Sequence, residues 1–354
     1  MHIPIDHVTF YRAMPTIVTF RHAVVLVATL GVVCGGLWLV TDTVDAQGPR
    51  EIESCTTVTE PGRYALTQDV VDSEKDTCIR IRSSDVVLLG HGHRIDGVGA
   101  FGTAGVVASS PGPGPLRNVT VRNVSVTDWD DGIRFIGVED GAVVGTTTAT
   151  NRVGLSLLNA PDNRLADNVA RDNRLRGISL FESSANNTLV NNTATDNGFF
   201  GIHLVEAGVR NNTLVNNTAS NNEFGIVLID AHGNAVTENT ADENGIAGIW
   251  LSASRENRLA RNTVSKQFYG VFLSDRSSGN TVADTVAESN AVGIRLRSSD
   301  DNRVVNNTVR DSHDISILLI SSDGNVVAGN VGSDNARGVT VLRSANNSVR
   351  NNRL

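Results

Sequence analysis

Residues 187–204 read NTLVNNTATDNGFFGIHL, and residues 212–228 repeat the pattern as NTLVNNTASNNEFGIVL. In both stretches an asparagine returns every five residues and is followed by a Gly-Ile pair, at Gly201 and at Gly225. The unit recurs about every 23 residues, roughly ten times between Asn118 and Leu354. A unit this short cannot bury its own apolar residues, so each copy must stack on its neighbours. The sequence therefore predicts a solenoid.

The runs between the asparagines are too short for helices. In 188–190, 193–194 and 202–204 apolar and polar residues alternate, which is typical of strands. Asparagine and glycine tolerate left-handed backbone conformations, so we expect them where the chain turns a corner. Three short strands and three corners in about 23 residues predict an all-β fold, a single-stranded parallel β-helix with one such unit per coil.

The interior is predicted to hold four columns of apolar side chains, with one residue of each column per coil. The members in the coil that begins at Asn187 are Leu189, Ala194, Ile202 and Leu204. The aligned asparagines are expected to form amide ladders along the axis, which satisfy polar groups at the corners. We therefore interpret a repeat asparagine as part of the scaffold.

The N-terminal part of the chain has a different character. Residues 23–40 form an 18-residue apolar run, short for a membrane span and long for the core of a signal peptide. Val44 and Ala46 fit the small residues that precede a signal-peptidase cut. We predict a signal peptide or N-terminal membrane anchor over 1–46, an N-terminal cap with the first irregular coils over 47–115, and regular repeats over 116–354.

The net charge is −8, and Lys75 and Lys266 are the only lysines among 30 basic residues. This acidic, arginine-rich composition is typical of salt-adapted organisms. Because no basic stripe is present, the sequence argues against nucleic-acid binding.

Cys55 and Cys78 are 23 residues apart, which is one repeat length. In an exported chain this spacing predicts a disulfide between adjacent coils; a free thiol pair or a metal site is the alternative.

The pattern N-x4-N-x4-N-x3-G-I-x-L resembles the NosD-like family of right-handed parallel β-helix proteins. These overlap the carbohydrate-binding and sugar-hydrolase (CASH) repeats of the pectin-lyase-like superfamily. Residues 78–81, 86–90 and 93–97 also look like the coil that opens many such chains. The resemblance covers about 52–354 and implies a right-handed helix, in agreement with the handedness of parallel crossovers. Its members include lyases, hydrolases, epimerases and non-catalytic binders, so it does not decide function.

The family name also implies copper binding. Copper prefers methionine, cysteine and histidine ligands. The only methionines, Met1 and Met14, precede the apolar run, and the histidines are scattered apart from His91 and His93. The sequence thus gives copper binding little support.

The strongest acidic cluster is Asp128, Asp130 and Asp131, with Arg134 nearby. Such carboxylates could bind Ca²⁺ or act as acid and base in glycosidic cleavage, with Arg134 as the base of a lyase. The alternative is a solvated corner, with Asp128 at an asparagine-ladder position.

His91, His93 and Asp96 are a weaker candidate for a metal or acid–base site. We expect the two rings of the His-x-His pair to share one face of a strand. Turn polarity explains these residues equally well.

The outward positions of the Gly-Ile-x-Leu strands carry unusual side chains. His203, Trp250 and Phe272 occupy one outward column, and Phe181 belongs to the next. Aromatic side chains on a solvent face suggest a carbohydrate- or partner-binding strip. The alternative is that another segment or a second copy covers this face.

The sequence therefore favours an exported scaffold at the cell surface or outside the cell that binds a polysaccharide or cell-surface glycan, with no cofactor. One alternative is a Ca²⁺-dependent lyase, C5-epimerase or glycoside hydrolase acting on acidic polysaccharide. Another is a structural envelope protein that contacts a protein partner through its C-terminal coil. Any membrane contact is expected through residues 23–40 alone.

Overall fold

The computed structural model describes residues 48–354, in which every regular element is a β-strand. These strands form three long parallel sheets and one short pair, wound as a right-handed β-helix. Three strands, one in each sheet, make up a coil of about 23 residues. The predicted fold is confirmed. The leader predicted for 1–46, including the apolar run, lies outside the described residues.

Sheet A contains 14 strands. They are Arg50–Ile52, Gly62–Leu66, Val86–Leu89, Val119–Arg122, Ala142–Val144, Arg164–Ala166, Thr188–Val190, Thr213–Val215, Ala235–Thr237, Arg258–Ala260, Thr281–Ala283, Arg303–Val305, Val326–Ala328 and Ser348–Arg350.

Sheet B contains 13 strands, mostly six residues long, and carries the Gly-Ile pairs. They are Thr56–Val58, Thr77–Ile81, Ala104–Ser109, Asp131–Ile136, Val153–Leu158, Arg176–Phe181, Phe200–Val205, Phe224–Ile229, Ala247–Ser252, Tyr269–Ser274, Val292–Arg297, Ile315–Ile320 and Val339–Leu342.

Sheet C contains 11 strands. They are Val70–Ser73, Arg94–Gly97, Ser125–Thr127, Thr147–Ala149, Val169–Arg171, Thr193–Thr195, Thr218–Ser220, Thr240–Asp242, Thr263–Ser265, Val286–Glu288 and Thr308–Arg310. Leu116–Arg117 and Val138–Glu139 form the separate pair.

The four apolar columns fill the interior, as the sequence predicts. Leu189, Ala194, Ile202 and Leu204 are fully buried, and the equivalent residues of the other central coils are buried with them in one continuous core. Near the C-terminal end of the chain, by contrast, Val341 and Val349 are exposed.

The aligned asparagines form amide ladders along the axis. Asn192 Oδ1 accepts the backbone amide of Asn168 at 3.1 Å and its side-chain amide at 2.9 Å. Asn192 Nδ2 donates to the Leu165 carbonyl at 3.0 Å and to Asn217 Oδ1 at 2.9 Å. Ladders of the same kind run along two other corners. Most buried corner groups are thus paired from coil to coil, which avoids the cost of leaving them unsatisfied; Asn187 Nδ2 is an exception in the described part of the chain.

The residue with a left-handed backbone conformation at these corners is the one immediately before the ladder asparagine. Asn186 and Asn191 have φ of 57° and 56° and are exposed, whereas the ladder asparagines that follow them are buried. Asp128, with φ of 59°, occupies this left-handed position. The next residue, Trp129, is fully buried and donates its backbone amide to Asn151 Oδ1 at 2.9 Å. The prediction that Asp128 lies at a ladder position is therefore wrong, since Trp129 occupies it.

The strands of sheet B bend at the repeat glycine, and Gly201 illustrates the reason. A Cβ on Gly201 would lie 2.7 Å from the Gly225 carbonyl oxygen in the next coil, closer than side-chain carbons approach. Glycine is therefore required here by close packing of one coil on the next. Ile202 belongs to the core, but Phe200 belongs to a separate apolar cluster outside it. The outward side chains on the two sides of the bend consequently lie close together.

The predicted disulfide is present between Cys55 and Cys78, with 4.3 Å between their Cα atoms. It joins the first two coils at sheet B, where Thr56–Val58 pairs with Thr77–Ile81. Residues from Arg50 onward already contribute strands to the same three sheets. Over the described range no helix meets the length and hydropathy needed to cross a membrane.

Candidate functional site

Two columns of side chains line the outer surface of sheet B, one on each side of the glycine bend. The first column consists of Asp131, Val153, Arg176, Phe200, Phe224, Ala247, Tyr269, Val292 and Ile315. The second consists of Arg134, Ser156, Ser179, His203, Val227, Trp250, Phe272, Arg295, Leu318 and Thr340.

Aromatic rings from the two columns stack on one another over the central coils. Phe200 is parallel to the imidazole of His203, with 4.4 Å between ring centroids and 9° between planes. Phe224 stacks on Trp250 at 5.0 Å, and Trp250 stacks on Phe272 at 6.4 Å and 11°. Offset-stacked contacts of this kind stabilise a fixed arrangement of the rings. We call this surface the aromatic strip, defined by Phe181, Phe200, His203, Phe224, Trp250, Tyr269 and Phe272.

The strip has a buried floor and a more exposed border. His203 is 4 % exposed and Val227 is fully buried, although both lie outside the core. Trp250 is half-buried, and its indole Nε1 donates to Ser274 Oγ at 3.0 Å. Phe199 and Phe268, which contact the strip edge-on, are 43 % and 54 % exposed. Because the rings stack on one another, much of each face is covered, and the surface offers partly exposed aromatic rings to a ligand. Contacts among its own side chains already order it.

The sequence prediction found part of this strip. The structure places His203, Trp250, Phe272 and Phe181 on it, but it buries His203. Phe200, Phe224 and Tyr269 were missed. The sequence does contain a signal for them, because each is an aromatic residue directly before the repeat glycine. The side chain of that residue points outward only because the strand bends at the glycine.

The predicted acidic cluster lies at the N-terminal end of the same two columns. Asp130 and Asp131 are 4 % and 7 % exposed. Arg152 Nε donates to Asp130 Oδ1 at 2.5 Å, and Arg134 donates to Asp131 Oδ2 at 2.8 Å. Burial raises the pKa of Asp131, and the adjacent Arg134 opposes that effect. Each of these carboxylates is thus neutralised by an arginine.

Asp128 is not part of this arrangement. Among the described residues its side chain makes no hydrogen bond or ion pair with Asp130, Asp131 or Arg134. The structure therefore brings together three of the four predicted residues and adds Arg152, which lies 22 positions after Asp130 and one coil away.

Arg176, Ser179 and His203 form a polar group at the N-terminal end of the aromatic strip, on the side of the acidic residues. Ser179 pairs with His203 across adjacent strands, and Arg176 lies three residues before Ser179. Ser179 Oγ, both His203 ring nitrogens and Arg176 Nε are buried with no hydrogen-bond partner in the described part of the chain. Burial, together with the charge of Arg176, lowers the pKa of His203 to about 3. The imidazole is therefore neutral near pH 7.

Arg295 lies towards the other end of the strip. Its guanidinium lies 4.9 Å from the Tyr269 ring centroid and 5.2 Å from that of Phe272. Neither Arg295 nor Arg176 has a carboxylate within 4 Å over residues 48–354. Five coil steps separate the two arginines, a distance of about 24 Å.

Comparison with known families identifies the fold. Residues 80–266 and 247–354 match the model of a family described as "Periplasmic copper-binding protein (NosD)", and together they span more than half of the chain. The chain belongs to the NosD family. No curated protein matches this sequence.

Three solved structures illustrate the likeness of this NosD chain to other proteins. They are a point mutant of the periplasmic alginate epimerase AlgG (13% identity, 82% of this chain and 76% of that chain, TM-score 0.53), DFA-IIIase from Arthrobacter chlorophenolicus A6 without its lid (14%, 82% and 86%, 0.53) and the A-module of the mannuronan C-5 epimerase AlgE6 from Azotobacter vinelandii (14%, 81% and 80%, 0.51). At these identities the likeness shows the fold alone.

The described residues of this NosD chain do not fit a copper site. Cys55 and Cys78 are joined to each other, so neither sulfur is free to bind a metal. His203 is enclosed by Phe200 and Phe181, with no second histidine beside it. No group of three or more His, Cys, Asp or Glu side chains in residues 48–354 could hold a metal ion. The soft, clustered ligands that copper prefers are thus not assembled here.

The weaker candidates of the sequence analysis lie apart in this NosD chain. His91 and His93 occupy the turn before the strand Arg94–Gly97, so the prediction that their rings share a strand face is wrong. His93 Nδ1 pairs with Asp69 at 3.0 Å, whereas Asp96 is bonded to Thr127. His93 and Asp96 are thus engaged by separate partners and not by each other.

Proposed function

We propose that this protein is an exported scaffold that binds a glycan chain along the outer surface of sheet B. The observation that carries the proposal is the aromatic strip. Its stacked rings lie along several coils of one outer surface, and Trp250, Tyr269 and Phe272 are partly exposed. Partly exposed aromatic rings beside polar and charged groups suit the apolar surfaces and hydroxyl groups of sugar rings.

The arrangement favours binding over catalysis. Asp131 and Trp250 lie five coil steps apart, or about 24 Å, so the carboxylates do not converge on the centre of the strip. Asp130 and Asp131 are also ion-paired with Arg152 and Arg134. A general base must reach the proton that it removes, and paired carboxylates at one end of the strip do not meet that condition for a sugar bound over Trp250.

Export is supported by two observations. The family to which the chain belongs is described as periplasmic. The Cys55–Cys78 disulfide suits an oxidising compartment outside the cytosol.

A second candidate is a polysaccharide lyase, epimerase or hydrolase, with or without Ca²⁺. The observation that favours it is that Asp131 lies in the same outer column as the strip and has a raised pKa. A carboxyl group held protonated more readily than usual is suited to donate a proton to a leaving oxygen.

The two candidates are separated by measuring binding and turnover together. The full chain is incubated with neutral and acidic polysaccharides, with Ca²⁺ and with chelator, and both retention and product formation are recorded. We expect retention without products, weakened at least tenfold by Trp250→Ala. Phe101→Ala is the matched control, because Phe101 is 89 % exposed and lies in a coil distant from Trp250. Product formation that is abolished by Asp131→Asn would replace the binding proposal with the enzymatic one.

A further inference from the structure

Three polar side chains at the N-terminal end of the aromatic strip have buried atoms without partners. Ser179 is fully buried and His203 is 4 % exposed, yet Ser179 Oγ and both imidazole nitrogens bond to nothing in the described residues. Arg176 Nε is buried and unpaired in the same way. Leaving buried donors and acceptors unsatisfied is unfavourable, so a cluster of them needs an explanation.

Neighbouring strands hold these groups together. Ser179 and His203 are direct partners across the strands Arg176–Phe181 and Phe200–Val205, which lie about 4.8 Å apart. Phe200 lies parallel to the imidazole on one side, and Phe181 contacts it edge-on at 6.0 Å. The ring of His203 is therefore fixed, and its nitrogens are oriented before any ligand arrives.

All three groups act as hydrogen-bond donors. Arg176 supplies a guanidinium, Ser179 a hydroxyl, and neutral His203 one ring N–H. The nearest charged groups that act on them are Arg152 and Asp131, and Asp131 is itself engaged by Arg134. The cluster thus combines hydrogen-bond donors with the positive charge of Arg176, which forms no direct ion pair with a carboxylate of the described residues.

Arg176 also contacts an aromatic ring beside the cluster. Its guanidinium lies 5.2 Å from the centroid of the Phe181 ring, and both side chains are partly exposed. Rotation of Arg176 off that ring would turn the guanidinium towards an arriving group. A cation–π contact at a partly exposed site is weak, so a charged ligand can replace it.

We propose that Arg176, Ser179 and His203 form an oxyanion subsite at which a carboxylate or sulfate group of the bound glycan is held. This inference rests on the proposed function and adds the class of glycan, one that carries regularly spaced anionic groups. Arg176 binds the two oxygens through its forked donors, and Ser179 and His203 each donate one further hydrogen bond. Stacking on the aromatic strip positions the rest of the chain.

The test compares polymers that differ only in charge. A polyuronate, the same polymer with its carboxyl groups reduced to alcohols, and a sulfated derivative of that neutral polymer are titrated into the full chain by calorimetry at fixed salt. We expect the polyuronate or the sulfated polymer to bind at least tenfold more tightly than the neutral one. Arg176→Gln should remove this difference, measured as the ratio of the two affinities.

Arg174→Gln is the matched control, because Arg174 is an exposed arginine two residues away and its loss changes the net charge equally. We expect it to change each affinity less than threefold. Ser179→Ala gives a second variant that removes a donor without altering charge, and a loss of preference there also supports the subsite. Comparing the affinities of the polyuronate and the sulfated polymer shows whether carboxylate or sulfate is the preferred group.

The possible failures are distinguishable. Equal binding of charged and neutral polymers, or equal weakening of both by Arg176→Gln, would overturn the subsite and leave glycan binding intact. If no polymer binds the wild-type chain, or if Trp250→Ala has no effect on any of them, the proposed function is itself wrong and the subsite falls with it. A shift of the His203 ring proton resonances that the anionic polymer causes and the neutral polymer does not is expected if the subsite is correct; equal shifts with both polymers would contradict it.

Discussion

The imidazole of His203 lies parallel to the phenyl ring of Phe200, and the two rings flank the bend at Gly201 from opposite sides. This contact removes the imidazole from water without offering a hydrogen bond to either ring nitrogen. A histidine in that position stays neutral, because protonation would place a charge in an apolar enclosure beside Arg176.

The first prediction concerns the dependence of stability on pH. The pKa of His203 is about 3 in the folded chain, against 6.5 for the free side chain. Between these values the unfolded chain binds a proton that the folded chain does not, so the stability contributed by neutral His203 is complete above pH 6.5 and is lost as the pH falls towards 3. At about 1.36 kcal/mol per pH unit, the upper limit of this loss is about 4–5 kcal/mol.

Urea unfolding between pH 7 and pH 4 measures this loss. His203→Phe keeps the stacking on Phe200 and removes the titrating group, so its unfolding free energy should fall less steeply with acid than that of the wild type. Parallel curves for the two proteins would show that His203 is not responsible.

The second prediction concerns the amide ladders. Asn192→Ala removes the acceptor of both amide groups of Asn168 and two donations to neighbouring coils. We expect a loss of about 3 kcal/mol or more, since several buried groups are left unpaired. Asn191→Gly is the control, because Asn191 is exposed and glycine keeps its left-handed φ of 56°; its loss should stay below about 1 kcal/mol. Thermal unfolding followed by circular dichroism compares the two, and equal losses would contradict a special role for the ladder.

The third prediction concerns the bend in sheet B. Gly201→Ala forces a Cβ to within 2.7 Å of the Gly225 carbonyl oxygen and of Asn222 Nδ2. The coils must move apart, and we expect a loss of about 1–3 kcal/mol in unfolding free energy. Gly112→Ala serves as control, because its added Cβ meets nothing within 4 Å, and we expect it to stay within about 0.5 kcal/mol of the wild type. If Gly201→Ala left the unfolding free energy unchanged, the stacked coils could move apart at this point without cost.

The fourth prediction concerns the disulfide. Replacing both Cys55 and Cys78 with serine releases a link between residues 23 positions apart and should cost the first coils about 2–4 kcal/mol. Each coil contacts only its neighbours, so the effect should remain local. Hydrogen exchange should accelerate in the strands Thr56–Val58 and Thr77–Ile81 and stay unchanged in Thr263–Ser265. Adding a reductant to the wild type should accelerate hydrogen exchange in the same strands, and it should have no further effect on the double variant. Faster hydrogen exchange along the whole chain would contradict a local role for the disulfide.

The sequence predicts the architecture well because its periodic residues do the same task in each coil. The spacing that places Asn187, Asn192 and Asn197 at corners also aligns the interior columns. The spacing of Cys55 and Cys78 equals one coil, which makes their pairing readable without a structure. These features depend on distance along the chain alone.

The candidate site was less predictable because it depends on the direction of the backbone. A strictly alternating strand would place Phe200 on the same face as Ile202, yet the bend at Gly201 turns Phe200 outward and onto His203. The pairing of Asp130 with Arg152 crosses from one coil to the next. This pair could have been predicted by comparing residues one repeat apart. A search for motifs within a single coil does not make that comparison.

The stacking of coils also makes the length of the outer surface adjustable in fixed increments. Arg176 and Arg295 are held apart by intact coils whose hydrogen bonds reach only the coil before and the coil after. Insertion or removal of one complete coil between them would leave both ends chemically unaltered and change their separation by about 4.8 Å. Duplication or loss of whole coils can therefore change the spacing of the two arginines in steps of one coil, while the core of each coil stays the same.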